Sequence, residues 1–271
     1  PNLKTIGKGA FAECETYQYY TYTNVQLVFP DSLTSIGDYA FDSFEHLKKV
    51  AFNYNLKTIG NFAFNECTNL QGHPSNWTLV IPNSVTKIGD HAFFGCSSFN
   101  YLQLSYNLHE IKEHTFSGCT RLIGNITIPD NCELIGESAF YNCNQASYLS
   151  IGRNVKEIGA SAFESCCNLK GPLVIPNSVE KIHEKAFKDC SSFNFLFLGN
   201  KLESIHDYAF QNCKGFNGTS GLPESLVILG NHSFELCVNM VHDLVIPKSV
   251  TVISDFAFNQ CEKIKSLKLD N

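Results

Sequence analysis

The chain is poor in charge and has no long hydrophobic run. Charged residues make up 17% of its 271 residues, and the formal net charge at pH 7 is -6. Nucleic-acid binding requires a basic face, so we expect no nucleic-acid partner. No apolar stretch approaches the roughly 20 residues that span a bilayer, so we expect no direct membrane insertion by this segment.

Motifs of the common enzyme classes are also missing. The sequence contains no P-loop, no Gly-x-Ser-x-Gly, no His-Glu-x-x-His and no Gly-x-Gly-x-x-Gly that opens a helix. We therefore predict that the chain is not an enzyme, that it has no catalytic residues and that it uses no cofactor.

Phenylalanine, in contrast, is abundant and regularly spaced. Half of the 22 phenylalanines follow a small residue at one repeated position, and the later spacings are 23 or 24 residues. A fixed period of this length is typical of a solenoid, in which each unit buries its apolar face against the next. The eleven repeat positions are Phe11, Phe41, Phe64, Phe93, Phe116, Phe140, Phe163, Phe187, Phe210, Phe234 and Phe258.

The clearest unit runs from Leu173 to Cys190. Leu173 and Ile175 alternate with their neighbours, which predicts a short strand with one buried face. Proline has no amide donor, so the following Pro176 should end that strand. The Ala186–Phe187 pair should then bring the chain round in a short helical or 3₁₀ turn.

Two kinds of unit alternate along most of the chain. One has Ile-Pro or Phe-Pro at the end of the strand, and the other lacks the proline. The working period is therefore about 47 residues. The first proline-containing units have Phe29–Pro30, Ile81–Pro82, Ile128–Pro129 and Ile175–Pro176.

The repeated Leu-x-x-Ile-Gly-x-x-Ala-Phe-x-x-Cys pattern, as in Leu56–Cys67 and Val155–Cys166, resembles the BspA-like (treponemal-type) leucine-rich repeats. The resemblance covers the whole chain. Together with the period it predicts a right-handed leucine-rich-repeat coil of about eleven units with a parallel β-sheet face. We interpret residues 1–271 as a single array and as a fragment of a longer one. The resemblance further implies a secreted or cell-surface protein that acts in adhesion.

Ten of the twelve cysteines share one repeat site, three residues after the phenylalanine. Phe44 replaces cysteine there in the second unit, which favours an apolar filler over a ligand. Neighbouring sites should be one rung, about 4.8 Å, apart, beyond the usual Cβ separation of a disulfide. We interpret these cysteines as buried free thiols, with disulfides and metal ligation as the less favoured alternatives. Cys167 falls at a mostly polar position and could be exposed.

Two pairs of histidines occupy matching sites in consecutive units. These are His91 with His114, and His183 with His206. Each pair could in principle share a metal ion. No third ligand is evident, so we interpret them as solvated turn residues and predict no metal site.

The outward positions of the strands form the first candidate partner-binding surface. If Leu102 points inward, Tyr101 and Gln103 point outward, and the same register exposes Tyr148, Phe195 and Phe197. Exposed aromatic residues on a rigid element are typical of binding sites. Alternatively, outward aromatic residues simply suit β-structure and were copied with the repeat.

Two insertions interrupt the period, and they are either a second candidate surface or merely tolerated loops. Glu15–Asn24 contains Tyr17, Tyr19 and Tyr20, and Gln71–Thr78 contains Trp77. Insertions in solenoids map to loops, often beside a binding face.

These patterns favour a non-enzymatic adhesion or recognition module at the cell surface or in secreted form. Its partner would be an extracellular protein, a glycan, or a host-cell or matrix component, bound along the extended face. The alternative is a structural spacer that displays another domain. Neither end has a polar cap, which predicts self-association through the ends.

Overall fold

The computed structural model describes residues 2–14, 25–72 and 76–270, and within these ranges the regular elements are short β-strands joined by turns. In chain order the described strands are β1 Thr5–Ile6, β2 Val25–Val28, β3 Ser35–Ile36, β4 Leu47–Ala51, β5 Thr58–Ile59, β6 Thr78–Val80, β7 Lys87–Ile88, β8 Tyr101–Gln103, β9 Glu110–Ile111, β10 Asn125–Thr127, β11 Leu134–Ile135, β12 Tyr148–Ser150, β13 Glu157–Ile158, β14 Gly171–Val174, β15 Lys181–Ile182, β16 Phe193–Phe197, β17 Ser204–Ile205, β18 Ile228–Leu229, β19 His242–Ile246 and β20 Ile264–Leu269.

The longer strands form the predicted parallel face. They pair as β2–β4, β6–β8, β10–β12, β14–β16 and β19–β20, all parallel. Each pair joins the strand of a proline-containing unit to the strand of the next unit without proline. The 47-residue period of the sequence therefore corresponds to one hydrogen-bonded pair of strands on this sheet face.

The two-residue strands form a second parallel sheet, which the sequence analysis did not predict. It has a four-stranded part, β1-β3-β5-β7, and a six-stranded part, β18-β17-β15-β13-β11-β9. In each pair of these strands an isoleucine lies opposite the isoleucine of the next coil, as Ile158 does opposite Ile182. The last strand has Leu229 at this position, opposite Ile205. A parallel-strand solenoid is thus confirmed, with strands on two of its sides.

The repeated phenylalanines fill the centre of the coil. Phe140 and Phe163 are fully buried, with parallel rings whose centroids are 5.5 Å apart, and Phe163 stacks on Phe187 at 5.3 Å. Offset stacking at this spacing is favourable for aromatic rings. One continuous core runs through the described residues from Ile6 to Ala257.

The turn around each phenylalanine differs from the helical or 3₁₀ turn that we expected. The residues two positions before and after it have left-handed backbone, as at Tyr39 (φ 57°) and Ser43 (φ 53°). This conformation directs alternate N–H groups to the following coil. Tyr39 N donates to Asn61 O and Phe41 N donates to Ala63 O, each at 2.8 Å. Backbone hydrogen bonds between neighbouring coils therefore take the place of the hydrogen bonds within the turn that a helix would need.

Candidate partner-binding surface

The aromatic residues predicted to point outward lie together on the face formed by the longer strands. Tyr101 is 45% exposed, Tyr148 49% and Phe197 43%, while Phe195 is partly buried. They occur on β8, β12 and β16, with one strand between each and the next. We call Tyr101, Tyr148, Phe195 and Phe197 the aromatic row.

On each of the three strands, the first aromatic ring of the row lies over a glycine of the following coil. A β-carbon at Gly124 would lie 2.6 Å from Cδ1 of Tyr101, and one at Gly218 would lie 2.7 Å from Cε2 of Phe195. The two aromatic rings therefore cover the backbone of the glycines, which have no side chain. The rings are thereby held on the backbone, and part of each remains exposed.

Tyr148 lies over Gly171 in the same way, but at a greater distance, and the ammonium group of Lys170 also contacts its ring. A β-carbon at Gly171 would lie 3.4 Å from its ring. The Lys170 ammonium lies 5.7 Å from the ring centroid, within the range of a cation–π contact. At the end of the row, the rings of Phe195 and Phe197 are 4.6 Å apart and tilted by 37°.

A shallow groove borders the row at the corner that follows the strands. Gln103 is exposed and lines it together with Tyr54, Pro82 and Asn83. The same groove recurs two coils further on, where it is lined by Tyr106, Pro129, Asp130 and Ser150. The corner therefore presents repeated aromatic and amide groups beside the row, with the carboxylate of Asp130 in the second groove.

The sequence analysis missed two tyrosines of this corner. Tyr54 is 84% exposed and Tyr106 is 59% exposed. Each precedes an asparagine whose side-chain amide donates to the backbone of the previous coil: Asn55 to Asp31 O at 2.9 Å and Asn107 to Asn83 O at 2.8 Å. The recurrence of Tyr-Asn after the strand without proline was the signal that could have found them.

Trp77 lies next to the start of the row. Its backbone is left-handed (φ 54°) and its side chain is 40% exposed. Its carbonyl accepts hydrogen bonds from Asn100 N at 2.9 Å and Tyr101 N at 3.2 Å. The second insertion thus emerges beside Tyr101. Tyr17, Tyr19 and Tyr20 of the first insertion lie outside the described residues.

The repeated cysteines are structural. None of the twelve forms a disulfide, and Cys166 is fully buried with its Sγ donating to Phe140 O of the previous coil at 3.1 Å. Burial raises the pKa of the Cys67 thiol to about 12. The interpretation as buried free thiols is confirmed, and the hydrogen bond is an addition to it. The nine cysteines that donate in this way are Cys67, Cys96, Cys119, Cys143, Cys166, Cys190, Cys213, Cys237 and Cys261.

Two cysteines of the repeat site depart from that interpretation: Cys14 is exposed and Cys261 is partly exposed. The thiol at this site is normally covered by the previous coil, and no earlier coil lies over Cys14 in the described chain. Cys167, at the polar position, is partly exposed, and its Sγ lies 3.6 Å from Asn144 O.

The two histidine pairs stack as their spacing suggested. The rings of His91 and His114 are 4.5 Å apart, and those of His183 and His206 are 5.3 Å apart. The structure also supplies the third group that we did not find. One donor atom each of His91, His114 and Glu113 lies within 4.8 Å of the other two. Glu113 was overlooked because acidic residues such as Asp90 and Glu137 occupy the same site in neighbouring units, so the sequence gives no reason to single it out.

Comparison with known families agrees with this architecture. The model of the BspA type leucine-rich repeat region matches residues 4–75, 72–194 and 181–271, in six copies. The chain belongs to the BspA-type leucine-rich repeat family. No curated protein matches this BspA-type array, and the comparisons indicate no enzyme family.

Several solved bacterial structures have the same fold. A leucine-rich cell surface protein from Faecalibacterium prausnitzii is 25% identical, with a TM-score of 0.50; the match covers 99% of this chain and 83% of that one. A leucine-rich repeat protein from Bacteroides ovatus is 22% identical, with a TM-score of 0.58 and coverages of 91% and 71%. One from Eubacterium ventriosum is 21% identical, with a TM-score of 0.52 and coverages of 86% and 80%.

As for the membrane, no helix capable of spanning a bilayer occurs in the part of the chain that the structure describes.

Proposed function

We propose that this BspA-type array is a non-enzymatic recognition module of a cell-surface or secreted protein and acts in adhesion. It binds an extracellular protein of a host cell or matrix, or a glycan, along the aromatic row and the adjoining groove. The observation that carries the proposal is the row itself, which is a set of partly exposed rings fixed on alternate coils of a rigid sheet face.

The rigidity of the row favours binding. Immobilising flexible side chains costs free energy on association, about 0.5–1.5 kcal/mol for each side chain with many rotamers. The rings of Tyr101 and Phe195 are already held against Gly124 and Gly218, so less of this cost remains to be met. Aromatic residues are also the residue types that most often dominate interface energies.

The spacing of the row favours an extended partner over a small molecule. Rings on alternate coils stand about 10 Å apart at a strand spacing of about 4.8 Å. The neighbouring groove adds exposed Tyr54 and Tyr106, with amide and carboxylate groups beside them. Such an open surface suits a protein or a polysaccharide chain, whereas small ligands and catalysis favour enclosed pockets.

The cell-surface assignment is supported by the family and by the Faecalibacterium prausnitzii relative, which is a leucine-rich cell surface protein. The alternative role is a spacer that displays another domain. Self-association through the ends also remains a prediction. At one end of the described chain, Leu267 and Leu269 are more than half exposed.

The experiment is a binding screen with the immobilised array against matrix proteins, glycans and host cells. The variant carrying Tyr101→Ser, Tyr148→Ser, Phe195→Ser and Phe197→Ser should lose binding at least tenfold. Tyr141→Ser removes an exposed tyrosine that belongs to neither the row nor the groove and serves as the control. Unchanged binding by the fourfold variant would remove the row from the proposal. A screen with no ligand, while the full-length protein binds, would favour the spacer.

A further inference from the structure

The corner of the coil that precedes each phenylalanine carries a second line of stacked rings. At this site the backbone is left-handed, and the side chain lies on the outside of the turn, as at His91 (φ 56°) and His114 (φ 51°). His91 is stacked between Phe62 and His114, with ring centroids 4.5 Å away on each side. Two imidazole rings are thereby held one coil apart on the same corner.

The donor atoms of this corner are close together and poorly satisfied. Glu113 Oε1 lies 3.7 Å from His114 Nε2. The Nδ1 atoms of His91 and His114 are buried and have no hydrogen-bond partner. Buried polar atoms without a partner are rare, so such atoms point to a missing ligand or water. With both Nδ1 atoms unbonded, no contact fixes which ring nitrogen carries the proton.

We propose that His91, His114 and Glu113 form a binding site for a divalent transition-metal ion such as Zn²⁺. Two imidazoles and one carboxylate are a donor set that zinc accepts, and three protein ligands leave a fourth position open to water or to a group of a partner. Apart from this cluster, the described residues contain no group of three such side chains with donors this close.

The required adjustment is small. Tetrahedral ligands at about 2.1 Å from the ion lie about 3.4 Å from one another. The present donors lie within 4.8 Å, so they must approach by about 1 Å and the rings must rotate to aim their lone pairs at one point. Glu113 can supply much of this movement, because its side chain is 52% exposed.

Nearby charges leave the carboxylate of Glu113 available. The Lys112 ammonium lies between Asp90 and Glu110, 3.9 Å and 3.8 Å from their carboxylate oxygens. Among the described contacts it forms no ion pair with Glu113. The only ion pair described for Glu113 is the one with His114, which metal binding would replace.

The second histidine pair provides a matched control within the same chain. His183 and His206 stack with an interplanar angle of 3° and a centroid separation of 5.3 Å. The carboxylate of Glu157 is bonded to His183 at 3.1 Å and to Lys181 at 3.2 Å, and among the described residues no third ligand-type side chain, Asp207 included, completes a close group with both histidines. This pair therefore has stacked imidazoles without a free third ligand.

The test is Zn²⁺ titration by calorimetry, with Co²⁺ absorption to report the ligand geometry. Both use a background carrying Cys14→Ser, Cys167→Ser and Cys261→Ser, so that the exposed and partly exposed thiols do not bind the ion. We expect one ion per chain. His91→Phe and His114→Phe should each weaken binding at least tenfold, and Glu113→Gln should weaken it measurably. Phenylalanine preserves the ring stack, because Phe62 and Phe256 occupy the same site in other coils.

The control variant His183→Phe should bind Zn²⁺ as the background protein does. The proposal would be overturned if the background protein did not bind Zn²⁺. It would also be overturned if the His91→Phe and His114→Phe variants bound Zn²⁺ as tightly as the background protein does. If His183→Phe lost as much Zn²⁺ affinity as the His91→Phe and His114→Phe variants, the proposal would also fail, since binding would then depend on the second histidine pair. Circular dichroism of each variant verifies that the comparison is made between folded proteins.

Discussion

The ring of Tyr101 lies so close over Gly124 of the following coil that a β-carbon there would come within 2.6 Å of the ring. The same relationship recurs 47 residues further on at Tyr148 with Gly171, and again at Phe195 with Gly218. The period of the outward aromatic residues is therefore also the period of the glycines beneath them. Each exposed ring has a structural contact on one side, and its other side remains available to a partner.

Replacing Gly124 by alanine should displace the Tyr101 ring and destabilise the array by about 1–3 kcal/mol, the usual cost of overpacking. Gly7→Ala is the control, because a β-carbon at Gly7 meets nothing within 4 Å. Urea denaturation followed by tyrosine fluorescence measures both. Equal stability of the Gly124→Ala and Gly7→Ala proteins would contradict the close packing of ring on backbone.

Truncating a ring of the central stack should be far more costly than truncating an exposed ring. Phe140→Ala opens a cavity between Phe116 and Phe163, and we expect a loss of about 3–5 kcal/mol. Phe256→Ala removes an exposed ring that, within the described part of the chain, stacks on His232 alone, and it should cost much less. Thermal unfolding by calorimetry compares the two, and similar losses would argue against the central stack as the main source of stability.

Thiol reactivity should separate the cysteines into two classes. Cys14 is exposed, and Cys167 and Cys261 are partly exposed, so these three are the thiols that should react with Ellman's reagent in the native protein. The buried thiols, such as Cys67 with its pKa raised to about 12, should react only after unfolding. Denatured protein should then yield twelve thiols. A denatured count near zero would mean that the cysteines are paired.

The stability of the array should fall in acid partly through Glu235. Hydrogen bonds from Asn259, Gln211 and His232 lower the pKa of Glu235 below its ordinary 4.5. A lowered folded-state pKa stabilises the protein above the unfolded value, and this contribution disappears as pH falls through the folded value.

Glu235→Gln should therefore be less stable than the wild type at neutral pH, with a difference that shrinks toward about pH 3. Urea midpoints at several pH values measure it. Exposed Glu224→Gln provides the control. A difference that stayed constant with pH would mean that the substitution acts through packing and not through ionisation.

Much of the fold followed from local pattern. Recurrence of Phe140 and its equivalents predicted the stacked core, and the alternation at Leu173 and Ile175 predicted the strand. Isoleucines such as Ile158 belong to the repeated pattern, but their parallel pairing was not predicted, because two residues are too short to show a strand period. The turn was expected to be helical because the left-handed residues around Phe41 are not glycines. Their conformation is stabilised by bonds to the next coil, which lies 23 residues away in sequence.

The sequence by itself determined the solenoid, its 47-residue period, the inward and outward sides of each strand and the structural role of the cysteines. These properties depend on spacing along the chain, which a repeat displays directly. Only the tertiary structure decided which outward rings rest on glycines, which tyrosines border the groove and that Glu113 joins His91 and His114. Those contacts form between side chains and backbone of successive coils, and spacing along the chain does not show how closely such groups approach one another.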